Sequence, residues 1–123
     1  MAAIIVTNGE HEGLFLPLGK KTTVIGRDEA LPLQIRDEKV SRKHLQIRFD
    51  PSDEKYHALD MKSANGLLIN GRKVSSEIVL VDGDELQIGD THLIFALQIP
   101  SDKTNALEVA RVVGQRRQST LIR

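Results

Sequence analysis

A short segment of the sequence, Ser41-Arg42-Lys43-His44, places a hydroxyl, two positive charges and an imidazole within four consecutive residues. A serine hydroxyl beside an imidazole can act as a nucleophile with its general base. The same hydroxyl beside a guanidinium can instead bind an anion, because both groups donate hydrogen bonds to oxygen. The rest of the chain has to distinguish between these two chemistries.

The nucleophile interpretation lacks its other parts. A catalytic serine needs an acid that orients the base and donors that bind the oxyanion. Asp37 and Asp60 are candidates only because they are acids, and the Ser-x-x-His spacing gives no reason for the two side chains to meet. The four histidines are spaced too widely for a usual set of metal ligands. We therefore expect no catalysis, no metal and no cofactor.

Short strands are the elements that must position these groups. Before residue 100, turn pairs separate short apolar or alternating runs, and no useful helical period appears. The turn pairs are Asn8-Gly9, Asn65-Gly66, Asn70-Gly71 and Asp82-Gly83. In the last alternating run, Thr91–Ile99, one face of a strand would carry Leu93, Phe95, Leu97 and Ile99. Many short strands at regular spacing predict an antiparallel β-sandwich or barrel.

The pattern changes after Pro100. Asn105 is suited to cap a helix, and Glu108 occupies the capping-box position. Apolar residues then share one face up to Val113, and four arginines without an acid lie from Arg111 onward. We therefore predict a domain at residues 1–100 and an extension at residues 101–123, with a short helix over 105–113 and then a flexible basic tail.

Composition excludes several classes of protein. The chain of 123 residues has 17 basic and 17 acidic side chains, so it lacks the basic excess of a general nucleic-acid or membrane-surface protein. It has no cysteine, which favours a reducing compartment. Its first residues do not form a signal peptide, and no apolar run is long enough to cross a membrane. We expect a cytoplasmic protein that binds neither nucleic acid nor membrane.

Four loop motifs occur in a distinctive order along this chain. Gly26-Arg27 is followed by Ser41-x-x-His44, by Ser63-x-Asn65-Gly66 and by Asn70-Gly71. With the closing run LVDGDELQIGDTHLIF, this order resembles the forkhead-associated (FHA) domain over roughly residues 3–99. The resemblance implies an all-β antiparallel sandwich of about eleven strands, of the SMAD/FHA type. It also implies an adaptor in Ser/Thr kinase signalling, without catalysis, that binds phosphothreonine peptides through loops at one end.

The resemblance assigns roles to the motif residues. The expected peptide contacts are Arg27, Ser41, Arg42 and Asn65, of which Asn65 would bond the peptide main chain. The expected supporting residues are Gly26, His44, Ser63, Gly66 and Asn70. Among these, the glycines would permit tight turns, His44 would stabilise the Ser41 loop, and Asn70 would bond backbone groups of neighbouring loops.

The chemistry of these residues suits a phosphate. A phosphate dianion offers three strong acceptor oxygens. Arg27 supplies a planar fork, Ser41 a hydroxyl with its backbone N–H close by, and Arg42 a second guanidinium. Each charge-assisted hydrogen bond contributes about 1.5–3 kcal/mol, so two or three of them lead to about micromolar affinity after ordering costs.

One position departs from the family pattern. The residue before the motif asparagine is often Thr or Ser, whose hydroxyl touches the phosphate, but here it is Ala64. The lost hydrogen bond is worth about 1–2 kcal/mol, and Ser63 would point to the other side of the loop. The alternative is therefore an FHA-like interaction domain with a weak or lost phosphate site, whose binding does not depend on phosphorylation.

The tail contains a possible internal ligand. Arg116 and Arg117 precede Ser119 and Thr120, a spacing that basic-directed kinases favour. The expected partner is a phosphothreonine-containing protein, such as a Ser/Thr kinase or its substrate. A phosphorylated Thr120 that binds the domain of the same or another copy is a second hypothesis, and an unmodified solvated tail is its alternative.

Overall fold

The computed structural model describes residues 2–98 and 110–111, and these contain eleven β-strands. In chain order the strands are β1 (Ala2–Val6), β2 (Phe15–Leu18), β3 (Thr23–Gly26), β4 (Leu33–Gln34), β5 (Leu45–Asp50), β6 (Lys55–Asp60), β7 (Leu67–Ile69), β8 (Arg72–Val74), β9 (Ile78–Val79), β10 (Glu85–Ile88) and β11 (Thr91–Ala96). The predicted number of strands and the all-β class are both confirmed.

The strands form two sheets that pack against each other. The six-stranded sheet has the order β2-β1-β11-β10-β7-β8, and the five-stranded sheet has the order β4-β3-β5-β6-β9. Neighbouring strands are antiparallel, except that β3 and β4 are parallel. Apolar side chains from both inner faces fill the space between the sheets, with Phe95, Leu45 and Leu86 fully buried. This arrangement is the predicted antiparallel sandwich.

The first and last strands are neighbours in the middle of the six-stranded sheet. Ala3 pairs with Ala96 and Val6 pairs with Leu93. The start of β1 and the end of β11 therefore lie side by side at one end of the sandwich. The opposite ends of these two strands adjoin the turn after β10, where the Asn8 side chain donates to the Asp90 carbonyl at 3.0 Å.

The prediction for the last strand was wrong at its end. Leu93 and Phe95 are in the core, but β11 stops at Ala96 and Leu97 is 50% exposed. The Leu97 N–H donates to the Asp82 carboxylate at 2.8 Å, so the chain no longer pairs with β1 at this residue. Ile99, the last residue of the predicted apolar face, lies outside the described residues.

The part of the C-terminal extension that the structure describes is short. Ala110 and Arg111 are helical, and the rest of the helix predicted over 105–113 lies outside the described residues, as does Thr120. Ala110 is 3% exposed and packs with Ile5 and Ala96 on the outer face of β1 and β11. The domain boundary near residue 100 stays a prediction. Within the described ranges, no helix is long and apolar enough to span a bilayer.

Candidate anion-binding site

Three loops meet at one end of the sandwich. The Arg27 N–H after β3 donates to the Ser41 carbonyl at 3.0 Å, and the Asp28 N–H donates to the Arg42 carbonyl at 3.1 Å. From the loop after β6, the Ala64 N–H donates to the Ser41 hydroxyl oxygen at 3.0 Å. The structure thus brings together the segments that carry the Gly-Arg, Ser-x-x-His and Asn-Gly motifs.

Gly26 is needed for close packing, and the tight turn expected at this residue was wrong. Gly26 ends β3 and is absent from the residues with positive φ. A Cβ atom at Gly26 would lie 2.2 Å from the Arg42 carbonyl oxygen, which is shorter than atoms can approach. At Gly66, by contrast, φ is +84°, a left-handed conformation that favours glycine and is compatible with the predicted turn. The missing side chain at Gly26 lets the Ser41–Arg42 backbone lie directly against β3.

His44 holds two of these loops together from inside. Its side chain is fully buried; its Nδ1 accepts from the Ser41 N–H at 3.0 Å, and its Nε2 lies 2.7 Å from the Gly66 carbonyl oxygen. Because Nδ1 is an acceptor, Nε2 must carry the hydrogen and donate it to Gly66. The imidazole contacts the backbone of Ser41 and not its hydroxyl. This geometry is that of a structural histidine and differs from a nucleophile with its base.

The hydrogen bonds of Ser41 determine what it can offer a ligand. Its backbone N–H, which we expected close to the anion, donates to His44 Nδ1 and is therefore not available to a ligand. Its hydroxyl oxygen accepts from the Ala64 N–H, so the hydroxyl hydrogen is left to be donated elsewhere. Ser41 can therefore donate one hydrogen bond to an anion.

Two guanidinium groups belong to the same end of the sandwich and line a cavity there, whose lining does not include Ser41 or Asn65. The Arg27 Nε donates to the Val40 carbonyl at 2.9 Å. This bond orients the guanidinium plane and leaves its two terminal nitrogens for a ligand. Arg42 is 75% exposed, and its nearest carboxylate oxygen, on Asp28, is 3.8 Å away. Both arginines line an open cavity of about 330 Å³ together with Asp28, Glu29 and Gln34. The cavity wall combines two cations with two acids.

The third loop contributes Asn65 and uses Ser63 internally. The Asn65 side-chain NH₂ donates one hydrogen to the Lys39 carbonyl at 2.8 Å, which leaves its carbonyl oxygen and its second N–H for a ligand. The Ser63 hydroxyl donates to Asp60 and accepts from the Gly66 N–H. Ala64 between them is exposed. The Ser63 hydroxyl therefore does not replace the hydroxyl that position 64 lacks.

Sequence reasoning missed the structural role of Asp37. Its carboxylate accepts from the Asp90 N–H at 2.7 Å, from the Thr91 hydroxyl at 2.9 Å and from the Lys39 N–H at 2.9 Å. Desolvation raises the pKa of Asp37, but these hydrogen bonds together outweigh it and hold the pKa below its ordinary value of 3.8. Asp37 thus attaches the Ser41 loop to the turn between β10 and β11. The sequence did offer a signal for the bond to Lys39, because an Asp side chain often accepts from the backbone N–H two residues further on.

Asn70 lies away from the site loops. Its side chain donates to the Asp84 carboxylate at 2.9 Å and accepts from the Glu85 N–H at 3.0 Å. The predicted role, bonding to backbone groups of neighbouring loops, is therefore half correct, because one of the two partners is a side chain. Asn70 fixes the turn between β7 and β8 to the start of β10.

A second polar cluster lies where β5 turns into β6, at the opposite end of β5 from Ser41. Asp50, Asp53 and His57 have ligand atoms within 4.8 Å of one another. His57 nevertheless contacts carboxylates with both ring nitrogens, Asp53 at 2.8 Å and Glu77 at 3.1 Å. A hydrogen bond from Arg48 lowers the pKa of Glu77, and Arg48 also lies 3.3 Å from Asp50. The cluster is internally paired, and it tethers β5 to β6 and Glu77.

Curated relatives and a family match cover most of this chain. Residues 5–98 match the family described as the cytoplasmic domain of an inner membrane component of T3SS. The oxoglutarate dehydrogenase inhibitor of Corynebacterium jeikeium is 34% identical over 94 residues, covering 76% of this chain and 63% of its own length. The glycogen accumulation regulator GarA of Mycolicibacterium smegmatis is 32% identical over 105 residues, covering 85% of this chain and 65% of its own length. This chain thus spans less than two thirds of these relatives, whose names are those of regulatory proteins.

Solved structures with the same fold carry FHA domains. One comes from a structural and functional analysis of phosphothreonine-dependent FHA domain interactions; it is 27% identical with a TM-score of 0.71 and covers 80% of this chain and 98% of that one. EmbR of Mycobacterium tuberculosis, in complex with a low-affinity phosphopeptide, is 25% identical with a TM-score of 0.71 and covers 83% of this chain and 26% of that one.

Proposed function

The chain belongs to the forkhead-associated domain family, and we propose that it binds phosphothreonine peptides as an adaptor in Ser/Thr kinase signalling. The observation that carries this proposal is the pair of unused donors at the loop end. The Arg27 fork is oriented by Val40, and the Ser41 hydroxyl hydrogen is left free by Ala64. In this proposal both donate to the oxygens of one phosphate, and Arg42, which lines the same cavity as Arg27, adds positive charge.

The remaining contacts follow from the same geometry. Asn65 would accept from a peptide N–H with its carbonyl oxygen, because the hydrogen bond from its NH₂ to the Lys39 carbonyl orients the amide. His44, Gly26 and Gly66 maintain the loops without touching the ligand. The alternative, a domain whose phosphate site is weak or lost, is favoured by the missing hydroxyl at Ala64.

We propose no enzymatic activity for this site. Both ring nitrogens of His44 already have hydrogen-bond partners in the backbone. Although Asp60 Oδ1 lies 3.7 Å from Nε2, neither nitrogen is left to act as a base for the Ser41 hydroxyl. A binding domain also fits relatives that are named as an inhibitor and a regulator.

The partner in this proposal is a phosphothreonine-containing protein, such as a Ser/Thr kinase or its substrate. A reducing compartment such as the cytoplasm suits a chain without cysteine. Binding of the chain's own phosphorylated Thr120 stays a prediction, since that residue lies outside the described ones.

Paired peptides test the proposed function. The protein is titrated calorimetrically with a degenerate phosphothreonine library and with the same library unphosphorylated. We expect the phosphorylated pool to bind at about micromolar affinity, and we expect Arg27→Ala to weaken it at least about tenfold, because one charge-assisted bidentate contact is lost. Arg72→Ala removes an exposed arginine on β8 and serves as the matched control.

The outcomes separate the two functions. Equal binding of both libraries by the unmodified protein would exclude phosphate recognition and leave the phospho-independent domain. Full phosphopeptide affinity in Arg27→Ala, with the fold intact by circular dichroism, would mean that the phosphate lies elsewhere.

A further inference from the structure

We propose that Lys73, a residue outside the loop motifs, is an additional peptide contact whose ammonium group binds an anionic oxygen of the bound peptide. This inference rests on the proposed function. The anionic oxygen belongs either to the phosphothreonine or to an acidic side chain that flanks it, and the same ammonium chemistry serves both.

The position of Lys73 beside the Asn65-Gly66 turn is the first step. Lys73 on β8 pairs with Leu68 on β7, two residues beyond Gly66. A Cβ atom built on Gly66 would lie 2.7 Å from the Lys73 Cε and 3.4 Å from its Nζ. The side chain therefore extends along β7 towards the loop end of the sandwich and covers the bare Cα of Gly66.

The second step is that the Lys73 charge is available. Among the described residues, Lys73 has no ion pair, and its side chain is exposed. Two other cations at this end differ in this respect, because Lys39 pairs with Asp90 at 3.3 Å and Arg42 lies 3.8 Å from Asp28. A ligand anion can bind Lys73 without first displacing a carboxylate.

The third step is that the turn has few donors left for an anion. The Ala64 N–H is bonded to Ser41, the Gly66 N–H to Ser63, and the Asn65 NH₂ to Lys39. Ala64 has no hydroxyl. Apart from the second hydrogen of the Asn65 NH₂, these groups leave no donor for an anionic oxygen at this side of the site. A lysine ammonium supplies three donors on a flexible stem.

The test compares Lys73→Gln with the unmodified protein on three peptides of one sequence. The first carries phosphothreonine with neutral flanking residues, the second carries phosphothreonine with glutamates on both sides, and the third carries threonine with the same glutamates. Lys55→Gln, which removes an exposed lysine at the start of β6, is the matched control. We expect Lys73→Gln to weaken at least one phosphopeptide by about three- to tenfold, as for one exposed charge-assisted contact. The control should stay within about twofold.

Each pattern of loss has one meaning. Weaker binding of the neutral-flanked phosphopeptide assigns the contact to the phosphate, and weaker binding of the glutamate-flanked phosphopeptide alone assigns it to a carboxylate. If Lys73→Gln leaves both affinities unchanged while Arg27→Ala abolishes them, the contact at Lys73 is overturned and the phosphopeptide function stands. If the unmodified protein binds no phosphopeptide, both proposals fail together.

A conservative variant separates contact from structural support. Lys73→Arg keeps the charge and should retain the affinity that Lys73→Gln loses, whereas both variants should melt at the temperature of the unmodified protein. Loss in Lys73→Arg equal to that in Lys73→Gln would contradict an ionic contact.

Discussion

At the scale of single residues, the site is defined by which donors and acceptors have no partner inside the protein. Ser41 and Asn65 each have one polar group bonded inside the protein and one left for a ligand. The sequence could indicate these residues through their motif order, as it indicated Arg27. It could not indicate which of their atoms is free, because this depends on contacts between loops that lie more than twenty residues apart.

Ala64→Thr is predicted to strengthen phosphopeptide binding. The side chain at this position is exposed, so a threonine fits without repacking, and its hydroxyl restores one donor beside the phosphate. We expect a gain of about 1–2 kcal/mol, roughly five- to thirtyfold in affinity, measured by calorimetry.

Ala64→Val is the control for that gain, because valine has the shape of threonine without its hydroxyl. An equal gain in both variants would contradict the missing-donor explanation and would point to packing instead.

At the scale of elements, the site depends on close contact between β3 and the segment that carries Ser41. Three backbone hydrogen bonds join the segment to β3 and the two residues that follow it, and a Cβ at Gly26 would meet the Arg42 carbonyl. The repeated turn pairs in the sequence predicted strands and the tight turn at Asn70-Gly71, where both residues have positive φ. Contact between backbones that are distant in the sequence leaves no such local signal. The sequence therefore predicted a tight turn at Gly26, where the structure has a close approach of two backbones.

Gly26→Ala is predicted to damage both stability and binding. The added methyl would overlap the Arg42 carbonyl at 2.2 Å, so the backbone must move apart. We expect a loss of about 1–3 kcal/mol in the free energy of unfolding, by urea denaturation, and at least about tenfold weaker phosphopeptide binding as Ser41 shifts away from Arg27.

Gly19→Ala provides the comparison, since a Cβ at Gly19 would meet nothing within 4 Å. Comparable behaviour of the two variants would show that the close approach at Gly26 does not control the site.

At the scale of the whole molecule, β1 is buried on both faces. Ile4 lies in the core between the sheets, and Ile5 packs outward against Ala110. The continuous apolar run at the N-terminus is consistent with such a doubly covered strand. The sequence predicted a helix that includes Ala110, but a helical period by itself does not specify the surface on which a residue packs.

Ala110→Asp is predicted to lower the melting temperature and to leave phosphopeptide affinity unchanged. A carboxylate at this 3% exposed position would be buried against Ile5 and Ala96, or would force the segment away from the sheet. We expect a decrease of about 5 °C or more by differential scanning calorimetry.

Ala30→Asp introduces the same charge at an exposed alanine and should melt close to the unmodified protein. If the two aspartate variants melt at one temperature, the packing of Ala110 contributes nothing to stability.

The pairing of β1 with β11 also determines how the domain would respond to tension. Because Ala3 faces Ala96 on adjacent antiparallel strands, a force that pulls the outer ends of these two strands apart acts across their hydrogen bonds. It would open the bonds one pair at a time, as in a zipper, and would not shear them together. The domain should therefore yield at low force when it is pulled through its own ends.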